Sequence, residues 1–135
     1  MDFLSDTAVA QGMTLASLIG GFALAAIAQL VSAFPVREGG EQHPSATPAI
    51  TWLAVTATVM MINVWSGIMF FMDDGADREA LARIFYGGLL VGVVFFALGM
   101  SQTVAIHSPR LRLPILIMFG GLLVAEAVLA ILFLI

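Results

Sequence analysis

The sequence predicts an all-α integral membrane protein, a bundle of four antiparallel transmembrane helices joined by short loops. Hydrophobic residues make up 61% of the chain and charged residues only 10%, which is outside the usual range of soluble domains. Four apolar runs each reach the roughly 20 residues that a helix needs to cross a hydrocarbon core of about 30 Å. Polar breaks separate the runs, so we expect residues 1–135 to form a single transmembrane domain.

The first span is predicted at about residues 12–34. It follows an acidic start in which Ser5 or Asp6 is available to cap the helix. Pro35 and a polar linker that contains two glycines and further prolines then interrupt the apolar pattern. The second span is predicted at about residues 49–71, and the linker is therefore a loop between two helices.

A charged connection leads to the third span, predicted at about residues 81–106, with Asp77 expected to cap the helix start. A short basic connection, residues 107–112, joins it to the fourth span at about residues 113–135, so these two spans form a tight hairpin. Glu126 is the only ionisable residue of the fourth span. Its apolar side chains contribute about −7 kcal/mol to insertion, against about +3 kcal/mol for one central charge, so the span is expected to insert.

The distribution of arginines predicts the topology, because cytoplasmic loops are enriched in Lys and Arg. Four spans place both termini on one side of the membrane. Arg78 and Arg83 fall on that side, whereas Arg37, Arg110 and Arg112 fall on the other. The balance favours non-cytoplasmic termini. We expect a multi-pass protein of the cell membrane, and the lack of lysine together with acidic loops favours a prokaryotic source.

Four polar residues inside the predicted spans are candidates for an intramembrane polar or ion site: Glu126, Asn63, Gln29 and Gln102. Glu126 and Asn63 each lie about 13 residues from the predicted cytoplasmic ends of their spans, and therefore at one depth. Gly20 and Gly21 reach the same level in the first span, so a carboxyl, an amide and a helix with little side-chain bulk are placed to meet near the midplane. Gln29 and Gln102 share a shallower level, where two amides can satisfy each other. A carboxylate in a low dielectric tends to take up a proton, so Glu126 either carries protons or cations or fixes helix packing through a hydrogen bond.

Small residues also occur in rows along the spans. Glycines at four-residue spacing let helix backbones approach closely in lipid, where dispersion and interhelical hydrogen bonds replace the hydrophobic drive. Four spans offer more such rows than one bundle uses for its internal seams, so we expect self-association or association with other membrane subunits. The predicted helix-packing positions are Gly20, Gly21, Gly88, Gly92 and Gly121.

Composition and motifs argue against chemistry at a cofactor. The chain has no cysteine, and His43 and His107 lie in or beside proline-containing loops, so we expect neither a metal nor another cofactor. No phosphate-binding loop, zinc-protease motif or serine-nucleophile elbow occurs, which argues against an enzyme. A net charge of −4 argues against a nucleic-acid partner.

The sequence therefore predicts a small polytopic membrane protein, embedded in the lipid bilayer, that acts as a homo-oligomer or as a structural or accessory subunit of a membrane complex. The alternative is a proton or ion carrier or channel that uses Glu126. These two functions differ in what Glu126 has to do. An assembly subunit needs only its hydrogen bonds, whereas a carrier needs it to titrate and to meet water.

The last hairpin resembles the proton-carrying hairpin of rotary ATP synthase c subunits over roughly the last fifty residues. Each has a glycine-containing helix, a short basic loop with a proline, and a helix with a mid-membrane Glu. The resemblance implies that Glu126 carries the proton and that Ser108, Pro109 and Arg110 form the polar loop. The first hairpin has no matching carboxylate, and the loop lacks the family's Arg-Gln-Pro-Glu pattern, so the chain is not identified as a member.

Overall fold

The computed structural model describes residues 5–35, 40, 44, 46–73, 75, 77–121 and 124. Nearly all of these residues are helical, and none of them forms a strand. In chain order the elements are α1 (Asp6–Ala33), α2 (Ala46–Met72), α3 (Arg78–His107), a 3-10 turn (Pro109–Leu111) and helical residues 112–121.

Helices α1, α2 and α3 are each long and apolar enough to cross a membrane. They contain 28, 27 and 30 residues, which correspond to about 40 to 45 Å, so their ends extend past the hydrocarbon core. Each helix contains nearly all of its predicted span and starts several residues earlier. The all-helical class is thus confirmed, and three of the four predicted spans correspond to helices that are long and apolar enough to cross a membrane. The fourth predicted span is described only as far as Gly121 and at Val124, so the four-span bundle stays a prediction.

Helix α2 is the centre of the packing, since it contacts both α1 and α3 extensively, whereas α1 and α3 contact each other little. Its buried residues recur alternately every three and every four positions. This 3.5-residue repeat is the pattern of left-handed helix packing, in which side chains of one helix fit between those of the next. The residues in this repeat are Ala46, Ala49, Leu53, Thr56, Met60, Asn63, Gly67 and Phe70.

The seam between α2 and α3 is built from larger side chains of α2 that pack against glycines of α3. Numbering rises along one helix as it falls along the other, so the two helices are antiparallel. A Cβ atom added at any of these glycines would collide with the facing side chain, and the glycines therefore set the distance between the helices. The pairs are Leu53 with Gly99, Met60 with Gly92, and Asn63 with Gly88.

Glycines also mediate the packing of α1. Gly12 accommodates the ring of Phe85 from α3, and a Cβ there would lie 2.6 Å from the ring atom Cε1. Two further pairs join α1 to α2, and residue numbers rise along α1 as they fall along α2, so these two helices are antiparallel. These pairs are Met13 with Gly67 and Gly20 with Met60.

The helix starts differ in how they are capped. The Ser5 hydroxyl oxygen accepts a hydrogen bond of 3.2 Å from the backbone N–H of Ala8, which confirms Ser5 as the cap of α1. Asp77 precedes α3 but makes no side-chain cap hydrogen bond, so the expected cap is wrong. The reason is the backbone of Asp77, which is already in the right-handed helical region, whereas a capping residue needs an extended backbone to reach back to the first turn.

Candidate functional site

Most serine and threonine hydroxyls of the three helices donate a hydrogen bond to a carbonyl oxygen of their own helix. Thr56 donates a 2.9 Å hydrogen bond to the carbonyl oxygen of Trp52, and Ser66 donates one of 3.0 Å to that of Ile62. These bonds to the carbonyl four residues earlier need no partner from another helix and give no indication of a ligand. The same bond is made by Thr14, Ser17, Ser32, Thr51, Thr58 and Thr103.

Asn63 is a fully buried polar side chain of α2 that does not make such a local hydrogen bond. Its side chain is buried, with 2% of the residue exposed, and its Oδ1 lies against the backbone of Gly88 on α3. Its Nδ2 has no hydrogen-bond partner among the described residues. A buried donor without an acceptor costs about 1 to 3 kcal/mol. The Nδ2 of Asn63 is therefore a buried, unpaired hydrogen-bond donor near the centre of α2.

The position of Asn63 differs from the expected meeting of an amide with the glycines of the first span. Asn63 packs against Gly88 of α3, whereas Gly20 of α1 contacts Met60 and a Cβ at Gly21 would meet nothing within 4 Å. The α2 repeat explains the difference, because it presents Asn63 to α3. Glu126, the predicted partner of Asn63, lies outside the described residues.

Gln29 and Gln102 lie at one level, as expected from the sequence. Phe34 contacts His107 and Gly12 contacts Phe85, and in both pairs the offset between α1 and α3 is 73 residues, the same as between the two glutamines. Gln29 is nevertheless exposed, and no hydrogen bond joins it to Gln102 within the described structure. Because α1 and α3 contact each other little, a shared level does not bring these amides together.

The predicted packing glycines fall into two groups. Gly20, Gly88 and Gly92 each face a side chain of another helix, as described above. A Cβ added at Gly21 or Gly121 would instead meet nothing within 4 Å. Two of the five glycines therefore provide space that no described residue of this chain uses.

A groove of about 630 Å³ runs between α1 and α2 on their outer surface. We call it the α1–α2 groove. The described residues that line it belong to these two helices, and they are mostly small on the α1 side, apart from Leu24, and mostly larger on the α2 side. Its lining includes Ser17, Gly20 and Gly21 from α1, with Met61, Trp65 and Ile68 from α2.

A charged cluster joins the three helices at the end of the bundle that holds the start of α1. Arg78, at the start of α3, forms an ion pair with Asp6 at the start of α1, and its guanidinium carbon lies 4.3 Å from the centre of the Phe70 ring of α2. The sequence alone does not reveal this cluster, because Asp6 and Arg78 are far apart in the chain. The available signal was two opposite charges flanking predicted spans on the same side of the membrane.

No protein-family model matches this chain, and neither does a curated protein or a solved structure. The two features of the described residues that bear on function are therefore geometric. They are the α1–α2 groove, which is open on the outer surface, and the unpaired amide nitrogen of Asn63, which is buried between α2 and α3.

Proposed function

We propose that this chain is a non-enzymatic building block of an assembly in the cell membrane, as a homo-oligomer or as an accessory subunit of a larger complex. The α1–α2 groove is the observation that carries the proposal. It lies about midway along two helices that are long and apolar enough to span a membrane, and four of the five residues that line its α1 side are small. Helices associate in lipid through such surfaces, because small residues allow close backbone contact and extensive dispersion.

The internal seams of the protein support this interpretation of the groove. Gly88, Gly92 and Gly99 of α3 each make room for a side chain of α2. Gly21 has equal room and no described neighbour to use it. A glycine in the interior of a helix costs up to about 1 kcal/mol relative to alanine. A glycine exposed at mid-span is therefore best explained by the close approach of a helix from outside this chain.

The mass of the purified protein in a mild detergent tests the proposal directly. We expect a complex heavier than one chain of 14.3 kDa, either as a multiple of that mass or with other membrane proteins that co-purify. Native mass spectrometry gives both the mass and the identity of the components. A protein that is purely monomeric in several mild detergents and in lipid nanodiscs, with no co-purifying chain, would contradict the proposal.

The orientation follows from the arginines and the helix order. We place the turn after α3, with Arg110 and Arg112, on the cytoplasmic side and the start of α1 on the opposite side. The ion pair between Asp6 and Arg78 then lies at the non-cytoplasmic end of the bundle. A fourth span over residues 113–135 returns the C-terminus to that same side.

The second candidate is a proton or ion carrier in which Glu126 holds the transported proton or cation. The buried, unpaired Nδ2 of Asn63 favours it, because an amide donor near the middle of a span can bind and orient a carboxylate. Flux measurements in liposomes test this function. Glu126→Gln should abolish pH-driven flux and Asn63→Leu should reduce it, whereas Gln29→Leu should leave it unchanged. Wild-type protein without flux would rule out the carrier.

A further inference from the structure

We propose that the α1–α2 groove is the contact between two copies of this chain. The two copies pack about a two-fold axis parallel to the membrane normal, and Met61 of each copy enters the notch between Ser17 and Gly21 of the other. This inference rests on the proposed assembly function and identifies the interface and the partner, a second copy of the same chain. Three features of the structure support this contact: the depth of the two surfaces, their shape, and the position of the rest of the chain.

Met61 and the notch between Ser17 and Gly21 lie at the same depth. Copies of one membrane protein are inserted with the same orientation, so a two-fold axis along the membrane normal brings together residues of equal depth. Gly20 lies against Met60, and Met13 lies against Gly67, which fixes the antiparallel register of α1 and α2. In that register Met61 is level with residue 19, midway between Ser17 and Gly21. The protruding side chain and the notch are therefore at the depth that this symmetry requires.

The second feature is the shape of the two surfaces. Met61 is 72% exposed, and Trp65, one helical turn further, is 65% exposed, so the two side chains form a ridge on α2. Gly21 is exposed and has open space at its Cβ position. The Ser17 hydroxyl donates to the carbonyl oxygen of Met13, so the notch presents no free donor. Methionine is flexible and polarisable and suits such a contact, which the symmetry forms twice.

The C-terminal segment of this chain is an alternative occupant of the α1–α2 groove. The helical residues 112–121 begin a few residues after α3 ends at His107, and the connecting 3-10 turn contacts α3. The start of this helix is therefore tied to the end of α3 by a short connection. The α1–α2 groove has no lining residue from α3. This arrangement favours a second copy over the chain's own C-terminal segment as the occupant.

Leucine substitutions at two comparable glycines test the interface. Gly21 and Gly87 are both exposed glycines with nothing within 4 Å of the Cβ position, but Gly87 is on α3, outside the groove. Both Gly21→Leu and Gly87→Leu should retain the helical circular dichroism of the wild type, which shows that each variant folds. In native mass spectrometry, Gly21→Leu should lose the two-chain contact, whereas Gly87→Leu should keep it. An unchanged complex in Gly21→Leu would overturn the proposal.

Disulfide crosslinking between copies provides a second measurement, since the native chain has no cysteine. Two batches with different affinity tags, Gly21→Cys in one and Met61→Cys in the other, are mixed in lipid and oxidised. We expect a crosslinked pair that carries both tags. Mixing Gly87→Cys with Met61→Cys is the control and should give none. Because each chain carries one cysteine, every crosslink joins two chains.

The outcomes separate this inference from the proposed function. A complex that persists in Gly21→Leu, without crosslinking, overturns this interface but leaves the assembly function intact. A monomer under all conditions overturns both. A monomer that retains tightly bound lipid assigns the groove to lipid. A crosslink within one chain between cysteines at Gly21 and Ala127 assigns the groove to the C-terminal segment, and either of these last two results overturns the second copy as its occupant.

Discussion

Alanine substitutions at three glycines of α3 should change stability in an order set by what faces each glycine. Gly99 faces Leu53, Gly92 faces Met60, and Gly87 faces open space. All three glycines lie in the interior of α3, so the gain in helix propensity is the same for each. The differences among the three variants therefore report packing alone.

The structure gives the expected magnitudes. A Cβ at Gly99 would lie 2.8 Å from Cγ and Cδ2 of Leu53 and 3.2 Å from its backbone nitrogen, and Leu53 is fully buried. Relieving that overlap requires the helices to separate, which costs about 1 to 3 kcal/mol. The propensity gain of alanine offsets up to about 1 kcal/mol of this cost. Gly99→Ala should therefore destabilise the protein by about 1 to 2 kcal/mol.

The other two substitutions should be mild for different reasons. At Gly92 the added Cβ meets chiefly the end of the Met60 side chain, which can swing away, so the overlap and the propensity gain should nearly cancel. At Gly87 nothing lies within 4 Å, so alanine should be neutral or stabilise the helix by up to about 1 kcal/mol.

Unfolding in detergent micelles by increasing fractions of sodium dodecyl sulfate, followed by far-ultraviolet circular dichroism, measures these differences. The expected order of stability is Gly87→Ala, then Gly92→Ala, then Gly99→Ala as the least stable. Equal losses at Gly92 and Gly99 would show that the seam does not have the described contacts. A loss at Gly87 as large as that at Gly99 would refute the assignment of an open face.

Two further predictions concern the charged end and the topology. Arg78→Ala should lower the free energy of unfolding by about 1 to 2 kcal/mol, because it removes both an ion pair and a cation–π contact. Asp6→Asn removes only the ion pair, so it should cost less than about 1 kcal/mol and have no effect at high salt. Thermal melts at two salt concentrations compare them, and equal effects of the two variants would argue against the Phe70 contact. Single cysteines at Ser5 and Ile135 should react with an impermeant thiol reagent from one side of the membrane, and one at Pro109 from the other. Labelling of Ile135→Cys from the same side as Pro109→Cys would contradict the fourth span.

The membrane class and three spans could be predicted from the sequence because length and apolarity are local properties of a segment. The helix starts were harder to place. The helix α3 begins at Arg78, within the connection that was predicted to be charged and polar. The ion pair of Arg78 with Asp6 and that of Arg83 with Glu79 both lie at this end. Charged residues can be part of a helix there, because oppositely charged side chains and water stabilise them. Apolarity alone marks the hydrocarbon core, and helices extend past it.

The candidate site was less predictable, because contacts between helices depend both on the depth of a residue and on the face of the helix on which it lies. The spans predict only the depth. The sequence placed Asn63 and Gly20 at similar depth, but the face of α2 on which Asn63 lies brings it to Gly88. Gln29 and Gln102 are level, yet they lie on two helices that barely touch. The alternating spacing of three and four along α2 carried the missing information, since Thr56 and Asn63 are seven residues apart, as are Leu53 and Met60.

Some glycines of the described helices face a side chain of another helix, whereas others face open space. Along α2, one face is closed, because Leu53 and Met60 fill the space opposite Gly99 and Gly92. On the outer face, Met61 projects beside a groove in which Gly21 is unfilled. Both arrangements consist of a larger side chain and a glycine at matching depth. The packing of α2 against the glycines of α3 is therefore a direct physical model for the contact that we propose between two copies.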